Sequence, residues 1–126
     1  AIQVLCFLEE AKLEPANKAR LVVEVAADKQ ASDILMLEIR QVSTLAEFFV
    51  LLNAESERQM EALCEELAER VARDDGLLYH REGTAESGWM ILDFGDVVVH
   101  VFSPEIREYY QLEKVWDQAP TVLRIQ

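Results

Sequence analysis

WMILDFGDVVVHVFSPEIREYYQLEKVW, residues 89–116, decides the fold class, because it runs a strand, a tight turn, a second strand and a capped helix together. In WMILDF, Trp89, Ile91 and Asp93 point to one side and Met90, Leu92 and Phe94 to the other. In VVVHVF, Val97, Val99 and Val101 alternate with Val98, His100 and Phe102. Each arm therefore has one wholly apolar face and one face carrying a polar residue among apolar ones. That is the pattern of a sheet with helices on its apolar face and a partly exposed opposite face. Gly95–Asp96, two residues beginning with glycine, suit a tight hairpin. Ser103–Pro104 opens a helix: the serine caps, and proline takes a first-turn position whose amide would have no intrahelical acceptor. Glu105 places a carboxylate at the positive end of the helix dipole. Ile106, Tyr109, Tyr110, Leu112, Val115 and Trp116 supply more apolar area than one buried stripe needs, which leaves some for an interface. Pro120 ends that helix and leaves a short tail, residues 121–126.

Upstream, residues 1–16 read as a lead-in, with Pro15 marking a boundary and a helix from Asn17 burying Leu21, Val22, Val25 and Lys29. DILMLEIR at 33–40 and EFFVLL at 47–52 are strands, the first apolar enough to lie inside a sheet. Ser56 and Gln59 form a capping box at the head of a long helix. Its stripe is Met60, Leu63, Cys64, Leu67, Ala68 and Val71, and Glu61, Glu65, Glu66 and Glu69 form a solvated face or a docking face for a basic partner. DDG at 74–76 stops the helix, and LLYHREG at 77–83 is a further strand. The economical assembly is one α/β domain, residues 17–120, with a mixed sheet of about five strands flanked by helices and the long helix as a crossover.

Composition narrows the function. Twenty-four acidic against twelve basic residues give a net charge of −12, which argues against a direct nucleic-acid footprint and favours a basic protein surface. No apolar run of about eighteen residues suggests a membrane span, and the N-terminal stretch lacks the basic lead of a signal peptide. Cys6 and Cys64 announce neither a disulfide framework nor a thiol motif.

Catalytic chemistry is hard to find. There is no phosphate-cradling glycine loop or dinucleotide fingerprint, and the serines at 43, 56 and 103 sit in turn or cap contexts. A metal site would need His80 with His100, or Asp93 and Asp96, which a tight turn sends to different places. No cofactor is expected. The candidates are instead partner-binding residues: Trp89, Asp93, His100, Arg107 and Tyr110. Trp89 reads equally as an interface anchor or as core, and His100 as a half-buried side chain bonded to a neighbour or as a contact. Arg107 either clamps a partner's carboxylate or bonds within the chain to Glu38 or Asp93.

At DKQASDILMLEIR, EFFVLLNAESERQ, W-x-x-x-DFGDVVVHVF and REYY-x-LEKVW ahead of Ala119–Pro120, taken in that order, the chain resembles the RsfS/Iojap family of ribosomal silencing factors. The resemblance implies a shape like that of nucleotidyltransferases without their catalysis. It also implies binding to the large ribosomal subunit through the fourteenth large-subunit protein, a steric block to small-subunit joining, and frequent homodimers. A cytoplasmic or organellar location follows. Gly95, Asp96, Leu112, Glu113 and Trp116 also match family positions, whereas Glu47 and Ala54 depart from a frequent Asp and Gly. The competing expectations are a metal-dependent nucleotidyltransferase-like enzyme working through Asp93 or Asp96, and a purely self-associating domain.

Overall fold

A computed structural model describes residues 13–75 and 80–126. Its elements in chain order are α1 (Pro15–Asp28), β1 (Ser32–Glu38), β2 (Phe48–Asn53), α2 (Glu57–Asp75), β3 (His80–Thr84), β4 (Trp89–Asp93), β5 (Val97–Phe102), α3 (Pro104–Tyr110), α4 (Leu112–Val115) and β6 (Thr121–Ile125). The strands form one mixed sheet in the order β3-β4-β5-β2-β1-β6. β2 and β5 are parallel, Phe48 opposite Val97 through Asn53 opposite Phe102, and every other pair is antiparallel.

All six residues of β2 are buried, which explains its unbroken apolar run: both faces of the sheet are covered at this strand. On one face α1 and α2 lay Val22, Val23, Leu63, Leu67 and Val71 against Met36, Val50, Leu92 and Val99. On the other, Leu35, Leu37, Phe49, Leu51 and Phe102 are covered by Ile106, Leu112 and Trp116. The alternation read from the β4–β5 hairpin is the one observed, with Met90, Leu92, Phe94, Val97, Val99 and Val101 toward the helices.

Three expectations change. Pro15 is the first residue of α1, not a boundary before it, because its fixed φ and missing amide suit a first turn. The buried stripe is consequently Lys18, Ala19, Val22, Val23, Val25 and Ala26, and Lys29 is exposed just past the helix end. The sheet has six strands, since residues 121–125 are an edge strand on β1 and not a free tail, tied on by the Glu38 amide donating to the Pro120 carbonyl at 2.9 Å. The last helix is two, because Gln111 turns left-handed at φ 48° between α3 and α4. The Gly76 stop and residues 77–79 lie outside the described residues.

The α2 cap works through both its members. Ser56 Oγ accepts from the Gln59 amide at 3.0 Å, and Gln59 Oε1 accepts from the Glu55 amide, one residue before the expected cap backbone. Gln59 Nε2 also donates to the carbonyls of Lys29 and Gln30, so the head of α2 fastens the end of α1.

An ion cluster ties the other end. Lys18, fully buried, places Nζ 2.7 Å from Asp96 Oδ1 in the β4–β5 turn and 2.9 Å from Asp75 Oδ2 at the end of α2. Asp75 Oδ1 in turn accepts from the Leu13 amide at 2.7 Å. Burial by itself lowers the Lys18 pKa, but Asp96 and Asp75 outweigh it and leave it raised above 10.5. A raised lysine stabilises fully below its unfolded value, and this contribution is lost only as pH climbs through the folded one. Lys18→Ala should cost about 3–5 kcal/mol in urea unfolding at neutral pH, because it leaves a buried carboxylate unpaired. Lys18→Met with Asp75→Leu should recover most of that loss.

Candidate partner-binding face

The α3–α4 cover spans β1, β2 and β5 but leaves the second face of β4 and β3 open, and Trp89 sits where the cover stops. Its indole ring lies 4.9 Å from Phe102, 5.0 Å from Tyr110 and 6.0 Å from His100, centroid to centroid. Trp89 Nε1–H donates to His100 Nδ1 at 3.2 Å, so the neutral imidazole carries its proton on Nε2. His100 is buried, with its ring edge on Phe49 at 4.9 Å, and desolvation lowers its pKa from 6.5 to about 4. It is therefore an uncharged support for the indole.

Tyr110 is half exposed, and Tyr109, edge-on to it at 4.9 Å, is more so at 78%. A hollow of about 270 Å³ opens beside them, lined by Glu82, Gly83, Ser87, Trp89, Ile91 and Tyr110. Gly88 sets the spacing. At φ +82° its backbone lies so close to α3 that a Cβ would fall 2.6 Å from Ile106 Cγ1 and 2.8 Å from Ser103 Oγ. The Ser103 amide donates to the Gly88 carbonyl at 2.8 Å, and Ser103 Oγ caps α3 by accepting from the Ile106 amide. The β3–β4 turn is thus clamped on the head of α3, bringing Trp89 to Tyr110.

Of the five residues singled out in the sequence, Trp89, His100 and Tyr110 come together. Asp93 stands at the far end of β4, about 13 Å along the strand, where its Oδ1 accepts from the Gly95 amide at 2.8 Å. Gly95, at φ +90°, fills the first position of the two-residue turn as expected. Arg107 does not reach the surface. Its Nη1 donates to the Asp33 carbonyl at 2.7 Å and to Asn53 Oδ1 at 2.8 Å, and its Nε to Glu113 Oε2 at 3.2 Å. These are not the intrachain partners expected for it: Glu38 pairs with Arg40 and Asp93 with its own turn.

Ile91, half-buried beside Trp89, belongs to the patch and was missed; its position on the Trp89 face of β4 was the available signal. Lys18 was missed too, although a lysine one turn before Val22 on an apolar stripe was a legible sign of a buried charge. Ala54 is accommodated without positive φ, its amide donating to the Phe102 carbonyl at 2.8 Å, and Glu47 faces Arg40 at 3.7 Å. Cys64 is buried against Met90, its thiol pushed up to about 11 by desolvation. Among the described residues no group of three or more His, Cys, Asp or Glu is arranged to hold a metal ion.

The family profile described as "Ribosomal silencing factor during starvation" (RsfS) matches residues 12–126. The chain belongs to this family. A ribosomal silencing factor of Halalkalibacterium halodurans is 41% identical over 104 residues, which span 82% of this chain and 88% of that protein. A crystal structure of a Chromobacterium violaceum protein superposes with a TM-score of 0.77 at 29% identity, covering 83% of this chain and 88% of the other. A more distant mouse relative, 29% identical over 76% of this chain and 43% of its own length, is named mitochondrial assembly of ribosomal large subunit protein 1. The RsfS family is one of regulators rather than enzymes, which agrees with the absence of a catalytic motif in the sequence.

His100 gives the face a pH signature. A histidine whose pKa is about 4 in the fold but 6.5 unfolded contributes fully above pH 6.5, and its contribution shrinks as pH falls toward 4. The interval is worth roughly 3 kcal/mol. Urea midpoints measured between pH 7 and 4 should therefore fall less steeply for His100→Gln than for the parent.

Proposed function

We propose that this RsfS-family protein docks on the large ribosomal subunit through the fourteenth large-subunit protein and sterically prevents the small subunit from joining. The observation that carries the docking site is the partly buried Trp89 paired with the half-exposed Tyr110 at the open end of a sheet in a silencing-factor family. Large aromatic rings held by a rigid backbone are typical anchors of protein interfaces. Glu82 at the rim and a net charge of −12 suit a basic protein surface and oppose direct binding to ribosomal RNA. The mouse relative's name, with its large ribosomal subunit, supports the choice of subunit. Silencing then needs no chemistry: occupation of a joining surface is sufficient. The site of action follows the ribosomes, in the cytoplasm or in an organelle.

Tyr109 and Val115, exposed on the same α3–α4 segment, offer a second copy an apolar contact. Self-association through them would compete with ribosome binding by mass action, so site availability should rise on dilution. Concentration-independent binding would remove that competition.

Sedimentation with separated subunits tests the main reading. The protein should travel with large subunits only and reduce joined particles when small subunits are added. Trp89→Ala and Tyr110→Ala, each with unchanged far-ultraviolet circular dichroism, should each weaken retention by about 30-fold, the worth of an interface anchor. Equal retention of both variants would exclude this patch.

A further inference from the structure

Arg107 is a charged side chain enclosed within the α3–α4 cover, 4% exposed, and its bonds tie its own helix to three other elements of the fold. From these bonds we propose that Arg107 is a positioning residue: it sets the rotation of α3 that places Tyr110 against Trp89, and so shapes the docking patch without touching the partner. The proposal rests on the reading of Trp89 and Tyr110 as that patch.

Helix α3 has seven residues and α4 four, too short to be held in place by helicity alone. The left-handed Gln111 between them breaks the continuity that would let one orient the other. An external brace is needed, and Arg107 supplies it. Its guanidinium grips the start of β1 through the Asp33 carbonyl, the end of β2 through Asn53, and α4 through Glu113. Gly88 against Ser103 and Ile106 fixes the head of α3, and Arg107 fixes its body. Two fastenings on one short helix define its rotation, and Tyr110 lies one turn beyond the second.

The Asp33 carbonyl is available for a structural reason. Asp33 is left-handed at φ 50°, and the register of β1 against β2 shifts between Ser32 and Leu35, so Asp33 has no paired residue in either ladder of β1. Its carboxylate meets Arg124 of β6 at 3.3 Å. The bulge therefore presents its carbonyl to α3 and its side chain to the edge strand. Nη1 and Nε hold a backbone carbonyl, an amide oxygen and a carboxylate from two corners of one rigid plane, a span that the single nitrogen of an ammonium does not cover.

The experiment uses the full chain in a Trp116→Phe background, so that Trp89 is the sole tryptophan. Arg107→Lys should weaken large-subunit retention about tenfold and shift the Trp89 emission toward that of Tyr110→Ala. Added to Tyr110→Ala, it should cost less than about twofold more, because a residue acting through Tyr110 has nothing left to position. Asn53→Ser, which alters only one acceptor, should move both readouts the same way by a smaller amount and serves if Arg107→Lys does not fold. Retention and emission like those of the parent, or losses that multiply with Tyr110→Ala, would overturn the proposal. Failure of the parent itself to travel with large subunits would sink the docking reading instead, and the emission shift would still decide whether Arg107 positions Tyr110.

Discussion

The structure depends on β2 being buried on both faces while hydrogen-bonded in parallel to β5. A strand with no polar side cannot stand at a surface, so the chain must supply cover twice. It does so unequally. The first cover is α1 and α2, 14 and 19 residues long, with one apolar stripe each. The second is the short, broken α3–α4 segment, which covers the centre of the sheet but not the β3–β4 end.

That inequality leaves open the patch proposed for docking. Trp89 has its indole against Phe102 and His100 and its free edge beside Tyr110, so it is rigid without being enclosed. Rigidity limits the side-chain entropy lost on binding, and incomplete cover leaves apolar area still to be buried. The enclosed charges follow the same division: Lys18 holds the two-helix side through Asp75 and Asp96, and Arg107 holds the α3–α4 side through Asp33, Asn53 and Glu113. Both cations lie inside the fold, and each pairs with one partly exposed carboxylate, Asp96 or Glu113.

Much of this was legible in order along the chain. The hairpin alternation, the Ser56–Gln59 and Ser103–Pro104 caps, and the Met60 to Val71 stripe are local patterns, each set by neighbours within a few residues. β6 was illegible because an edge strand with little burial needs little apolar alternation, and TVLRI has too little to stand out after a proline. The separation of Asp93 from the Trp89 patch was illegible for a related reason: an aspartate beside a tight turn can serve the turn amide or a partner, and spacing cannot say which.

By itself, the sequence determined the types of the elements up to β5, the interior position of the first strand in the sheet, the acidic balance that disfavours nucleic acid, and family membership through ordered motifs. The tertiary structure alone decided which charges are enclosed, where the second cover ends, and which aromatics share a surface. The reason is distance along the chain. Lys18 meets Asp96 across 78 residues and Arg107 meets Asp33 across 74, contacts that exist only after the sheet order has been set. Periodicity reports the side of an element that is buried, whereas packing of whole elements decides what a buried side chain meets.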